Sequence, residues 1–470
     1  MKKDYKIDLL KGDLKKNIIR LGTPIAIGSA VQMLYNLADT YWLGRLGRSA
    51  ISAPVISFFI LFLLIGLGIG FSIAGTSLVS QYIGAGEKDK ASRVSGNLLF
   101  IMGSLSVVSV ALLLPFTEEI FRLLKTPGDT FAQTVSYFKI SLAGMPLAFP
   151  FFVFYSVFNG YGDTKTPLMI ELISATINIV LDPILIFGHF GLPALGVDGA
   201  AIVTVGSRAI ASAAGLYILF SGRRGFKIDL KMLIPDKKLT RLIMKTGIPA
   251  ALGMAGASLG FIVLIGFVNQ FGTAVVSAYG IMSRIVHLYA MPAMAIASAV
   301  TAIVGQSLGA GDVERASKAV KTGGKLMLII LTPFIVLSTF YGEYFTKFFI
   351  PGDQLVNSIS SSMFLIISPS VLFFGLGSVL NGAFQGSGYT VPIMVSNILR
   401  VWAFRIPSVY ILSFIILGGP GNKGAHIGIW WGMFISNIFA FIIIYFWYIS
   451  GRWKKARISA DVPEKEIGNG

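Results

Sequence analysis

The 470-residue sequence has no cysteine and only three histidines, His189, His287 and His426. The first absence excludes disulfides, thiolate metal sites and cysteine nucleophiles. The second, with its members far apart, excludes a histidine-rich metal site. No P-loop is present, so ATP is not the energy source. Charge is scarce as well: 13% of residues are charged, against about 25% in a soluble domain. What remains is apolar. Hydrophobic residues make up 54% of the chain and mean hydropathy is +0.75. A soluble cytosolic globule and a disordered chain are both excluded. The few charges are unbalanced, with 39 basic and 22 acidic residues and a net charge of +17. In a soluble protein that excess would point to nucleic acid. Here the positions of the charges decide.

A membrane helix needs about 20 mostly apolar residues. Twelve such stretches occur, near 18–43, 51–83, 95–116, 132–158, 167–189, 199–220, 242–269, 275–308, 322–342, 358–384, 392–417 and 427–450. The first is too long for a signal-peptide core and no small-residue cleavage site follows it, so it reads as a retained span. About 25 basic residues lie in the termini and the even-numbered loops, against about 6 in the opposite loops. That asymmetry predicts a multi-pass plasma-membrane protein with both termini cytoplasmic. It also removes the nucleic-acid reading, because the basic residues line one membrane face and form no patch on a domain.

The two halves match at an offset of 225 residues. VSQYIGAGEKDKAS (79–92) aligns without a gap with VGQSLGAGDVERAS (304–317). At the same offset Pro24 falls on Pro249. FNGYGDTKTP (158–167) matches FQGSGYTVP (384–392), one residue shorter. Three matches in order indicate duplication. The expected fold is an all-α membrane protein of 12 transmembrane helices in two six-helix lobes, related by a pseudo-two-fold axis along the membrane normal. The expected divisions are 1–220 for the N-terminal lobe, 221–241 for a basic amphipathic linker on the inner leaflet, 242–450 for the C-terminal lobe and 451–470 for a cytoplasmic tail. Duplicated bundles around a central path are the usual build of carriers, not of receptors.

In each half Q-x-x-G-A follows the second span and a G-x-G turn precedes the fifth. With twelve spans in two halves, this resembles the multidrug and toxic compound extrusion (MATE) family, in a prokaryotic branch with an aspartate pair in the N-terminal lobe. The resemblance covers about residues 15–450. It implies a secondary active exporter of small organic cations and drugs, an antiporter working by alternating access between two lobes. It further implies coupling to H⁺ and/or Na⁺, with no cofactor. A monomer in a lipid bilayer is expected.

Ionisable groups inside a span cost at least ~2.5–3.5 kcal/mol near its centre on insertion scales. Of 22 acids, only Asp39 and Asp182 lie well inside spans, in the first and fifth. Glu171 lies near the inner end of the fifth and reads as the partner of a loop lysine. No carboxylate lies inside a span of the C-terminal half. At the 225 offset Asp39 falls on Leu264, and Asp182 falls on Pro407 or, with the gap, Ile406. Both aspartates are placed in the outer half of the membrane. Helical spacing puts Gln32, Tyr35, Asn36 and Asp39 on one face, and Ser174, Asn178 and Asp182 on another. Such stripes must face protein or water. Two carboxylates in a low-dielectric cavity are desolvated and repel one another, and both effects favour uptake of a proton. Na⁺ held by Asp39, Asp182, Asn178 and Tyr35 is the other reading. The plainer one satisfies both aspartates with hydrogen bonds or with Arg208 of the sixth span. The family resemblance implies that the aspartates of the first and fifth spans, with the nearby Asn and Tyr, form the cation site. It also makes Pro24, whose ring removes a backbone hydrogen bond in the first span, a candidate hinge.

Arg208, Arg284, Arg400 and Arg405 lie inside spans and would most simply snorkel or pair with carbonyls. Arg284 and Arg400 are also candidate cavity bases for an anionic substrate. On them rests the alternative function, a lipid- or polysaccharide-precursor flippase of related architecture. GYGD (160–163) matches the G-x-G-D of intramembrane aspartyl proteases. However, Asp163 falls in an inner loop and no Tyr-Asp partner precedes it, so the chain is not read as an enzyme.

Overall fold

Long apolar stretches without polar breaks satisfy their backbone groups internally, and in this chain they do so as α-helices. The computed structural model describes residues 6–458; the expected tail 451–470 lies mostly outside the described residues. The helices are α1 (Leu14–Gly44), α2 (Arg48–Gly84), α3 (Lys88–Leu113), α4 (Thr117–Leu123), α5 (Gly128–Ala143), α6 (Met145–Tyr161), α7 (Lys165–Phe187) and α8 (Gly196–Ser221) in the first half. In the second half they are α9 (Lys237–Asn269), α10 (Thr273–Gly309), α11 (Val313–Phe349), α12 (Gln354–Ser387), α13 (Val391–Ile398), α14 (Ile406–Tyr410) and α15 (Ile427–Ile449). Among the described residues, eleven helical stretches, with Val391–Ile416 counted as one, are long and apolar enough to cross a membrane, or twelve when α5 and α6 count as one broken span.

Three spans depart from the single straight helices read from hydropathy, one of them only by a kink at Tyr341 of α11. The stretch 132–158 is broken between α5 and α6, which meet at a 50° bend. Gly144 sits at the break because a Cβ there would run into Val205, and Pro146 then starts α6 without needing an amide hydrogen. The stretch 392–417 is not uniformly α-helical. Two π-helical turns, Leu399–Arg405 and Ile411–Ile416, flank the five residues of α14.

The repeat is written into the backbone. α2 and α10 begin and end 225 residues apart, and so do the starts of α3 and α11. Each Q-x-x-G-A turn closes with the same three bonds. In the first half they are Ala85 N to Gln81 O, Gly86 N to Ile83 O and Glu87 N to Tyr82 O. In the second they are Ala310 N to Gln306 O, Gly311 N to Leu308 O and Asp312 N to Ser307 O. Gly86 and Gly311 share φ +81, a left-handed conformation that glycine adopts without penalty. The later motif glycines serve close approach. A Cβ on Gly160 would lie 2.8 Å from Thr76 O, and one on Gly386 2.7 Å from Thr301 O.

The chain divides into two units. Among the described residues, one holds 6–8 and Thr23–Ile248; the other holds Leu9–Gly22 and 249–458. The first helix of each half therefore changes unit at its matching proline, Pro24 or Pro249. In the second unit, Arg315 of α11 donates to the carbonyls of Leu9 (2.8 Å), Lys11 (2.9 Å) and Gly12 (3.2 Å). In the first, Asn97 of α3 donates to Met232 O (3.2 Å) and accepts from Asp236 N (2.7 Å). The basic stretch 221–241 is thus tied to α3 at residues 232–236 and to α6 where Tyr161 donates to Gly225 O (3.1 Å), with Phe226 and Ile228 buried and Leu230 and Ile234 exposed.

Candidate functional site

Asp182 lies four residues beyond Asn178 on α7, one helical turn, and both side chains are fully buried. The Asn178 amide bridges the two aspartates. With its nitrogen turned to the carboxylates, it donates to Asp39 Oδ1 (3.0 Å) and Asp182 Oδ2 (3.2 Å). The carboxyl groups of Asp39 and Asp182 are themselves within hydrogen-bond reach of one another. Tyr35, one turn before Asp39 on α1, is buried; its hydroxyl donates to Thr204 Oγ1 (3.0 Å) and lies within electrostatic reach of Asp39. Tyr137 of α5 supplies a second hydroxyl within electrostatic reach of both aspartates.

The site has an apolar stopper. Leu43 and Ile186 lie one turn beyond Asp39 and Asp182. Both belong to one buried cluster with Ala50, Ala53, Val197 and Ala200, against which Trp42, Tyr137 and Phe187 pack. The ring of Trp42 meets that of Phe187 edge-on at 6.1 Å. Toward the other end of α1 and α7 lies an ion pair. Arg208 donates to Glu171 Oε2 at 2.8 Å, and both side chains are largely buried. A second guanidinium nitrogen donates to Gln32 Oε1, and the group lies over the ring of Tyr35 at 5.6 Å.

These contacts revise four readings from sequence. Glu171 pairs with Arg208, not with a loop lysine. Arg208 forms its ion pair with Glu171 and has no carboxylate hydrogen bond to either aspartate, because the Glu171 side chain reaches it first across α7 and α8. The polar stripe of α1 divides. Tyr35 and Asp39 join the aspartate site, whereas Gln32 joins the ion pair and donates to Asn36 Oδ1 at 3.3 Å. Ser174 is not at the site; its hydroxyl donates to Ser207 O (3.0 Å). Asp163 caps the start of α7 by accepting from Lys165 N, Thr166 N and Thr166 Oγ1, which gives it a structural role in the GYGD turn. Tyr137 and Thr204 carry no sequence signal of their own, because hydroxyl residues recur along both spans and nothing singles out these two.

In the second half Arg284 lies over Phe349 (6.0 Å), Arg400 over Phe374 (5.6 Å) and Arg405 over Phe261 (5.4 Å). None forms an ion pair among the described residues.

A bundle of long apolar helices repeated at one offset, with buried carboxylates in one copy, defines the class: a multi-pass membrane transporter. The family model described as MatE matches twice, over 24–184 and 249–411, and each match begins at one of the paired prolines. The chain belongs to the MATE family and is a multidrug efflux transporter. It is 30% identical to "Probable multidrug resistance protein YoeA" of Bacillus subtilis (strain 168), over 93% of each chain. It is 27% identical to "Probable multidrug resistance protein NorM" of Thermotoga maritima, over 97% of each. A solved MOP superfamily transporter from Pyrococcus furiosus Vc1, described by the reverse polarity of its binding pocket, superposes with a TM-score of 0.87 at 27% identity. The match covers 97% of this chain and 99% of that one. The flippase alternative is not favoured by these relatives.

Proposed function

We propose that the protein expels organic cations in exchange for H⁺ or Na⁺, and that Asp39 and Asp182, bridged by Asn178, are the coupling site. One observation carries this reading. Two carboxyl groups, Asp182 fully buried and Asp39 partly so, share the Asn178 amide, while the Arg208 guanidinium is engaged by Glu171. Two acids without an ion-paired cation form a sink for positive charge. A proton satisfies the pair by forming an O–H···O bond between them. Na⁺ would instead draw on carboxylate and amide oxygens, the hard donors that suit such ions. Either cation removes the repulsion between α1 and α7 and leaves a neutral site beside the packed apolar cluster at Leu43 and Ile186. An organic cation competes for the same negative charge, which makes exchange obligatory.

The change of unit at Thr23 supports Pro24 as the hinge through which α1 responds. Gln32 and Asn36 would tune the site through the Arg208–Glu171 pair. The reading places the protein as a monomer in the plasma membrane, both termini cytoplasmic, performing transport and no covalent chemistry. Ethidium flux in proteoliposomes, with H⁺ and Na⁺ gradients imposed separately, tests it. One gradient should drive flux above the no-gradient rate; equal rates under every gradient would defeat the proposal.

A further inference from the structure

The second half buries positive charge with no negative partner. The described residues from Pro249 onward include four carboxylates, and each is committed elsewhere at a helix end. Asp312 caps Arg315 N and Asp353 caps Val356 N. Glu314 pairs with Lys318 and Glu343 with Lys347. Arg405, 3% exposed, has only neutral oxygens: Nε donates to Ser436 Oγ (2.9 Å) and an Nη donates to Asn437 Oδ1 (2.8 Å). Asn437 in turn donates to Ser370 Oγ (3.0 Å), so the Arg405 side chain is held from α15 and α12. Its remaining donors have no hydrogen-bond acceptor among the described residues. Arg400 makes no side-chain hydrogen bond at all, and its Nε–H is enclosed without a partner.

Backbone geometry brings the two together. In an α-helix, residues five apart diverge by about 140° at 100° per residue. Arg400 and Arg405 instead span the π-helical turn Leu399–Arg405, whose hydrogen bonds close between i and i+5. That winding returns the second guanidinium toward the face of the first, and the two groups repel one another, with the Tyr279 hydroxyl alongside Arg405. Two unpaired cations converging inside an apolar bundle are costly unless something anionic joins them.

We propose that Arg400 and Arg405 form an anion site in the second half, which takes the carboxylate, sulfonate or phosphate group of an amphiphile. The inference is independent of the cation site in the first half. It widens the substrate class to zwitterions and anions that carry a flat apolar body, for which Phe374 and Phe261 stand beside the guanidinium groups.

The test uses the full chain in neutral phosphatidylcholine nanodiscs, with 2-naphthyl phosphate as probe and 2-naphthol as its uncharged control. The phosphate should bind at least tenfold more tightly than the naphthol. Arg400→Gln and Arg405→Gln should each remove that margin, and Arg405→Lys should retain part of it. Asp182→Asn should leave it unchanged, so that failure of this site is read apart from failure of cation coupling. Competition by inorganic phosphate would assign the site to a free anionic group; loss of probe binding in phosphatidylglycerol nanodiscs would assign it to a lipid headgroup. Both outcomes support an anion site. Equal affinity for the two naphthyl probes, or an undiminished margin in a folded Arg400→Gln variant, would overturn it. Arg400 lacks hydrogen bonds to lose, so that variant decides even where Arg405→Gln fails to fold.

Discussion

In the fifth span of the first half, an uninterrupted α-helix buries Asp182 beside Asn178. In the matching span of the second half, the helix winds into a π turn and ends it with Arg405. The positions correspond to within two residues, and the charge is reversed. Meanwhile the Q-x-x-G-A turns of the two halves share the same hydrogen bonds and the same glycine φ. Duplication has therefore kept what sets helix ends and close packing, and has let the buried charge diverge. Turn geometry is fixed by sterics, which both copies must obey. A buried charge needs a local partner or a function, and each copy found a different one.

The comparison can be broken most decisively at Asp182. Asp182→Asn should lower gradient-driven efflux at least a hundredfold while leaving a monodisperse protein; Arg405→Gln should leave gradient coupling intact. Flux assays on both variants check the contrast. Next in size is the ion pair of the first half. Arg208→Gln strands a largely buried Glu171 and should cost about 3 kcal/mol, read as a drop in thermal stability in detergent. Adding Glu171→Gln should recover much of that loss; no recovery would mean that Arg208 serves the aspartates after all.

Smaller effects sharpen the shared part of the comparison. Gly160→Ala and Gly386→Ala each force a Cβ onto a backbone oxygen, at Thr76 and Thr301. Each should cost about 2 kcal/mol, as overpacking does, and the two costs should agree. Gly86→Ala and Gly311→Ala, both at φ +81, should cost about 1 kcal/mol apiece. Unequal costs within either pair, measured by thermal unfolding, would show that the halves have diverged in packing as well as charge.

The spans, the repeat and the aspartate pair were legible in the sequence for separate reasons. Hydropathy reports spans because the bilayer imposes a length. The repeat survives in glycines that sterics will not release. Asp39 and Asp182 stood out because an acid inside an apolar helix has no cheap explanation. The partner of Glu171 was not legible, because Arg208 lies 37 residues away on another helix and periodicity reaches only along one. The π turns were not legible either: LRVWAFR carries no proline or glycine, and Pro407 just beyond it signals a broken hydrogen bond but not a π turn. The bend at Gly144 had a signal, Gly144 and Pro146 in the middle of a span, which hydropathy averages away.

The central claim is that the first half alone carries the coupling charge. Its most direct measurement is ethidium flux by the Asp39→Asn/Asp182→Asn double variant in proteoliposomes, under the gradient that drives the unmodified protein. Flux should fall to the no-gradient rate in a folded protein. Full gradient-driven flux by that double variant would contradict it.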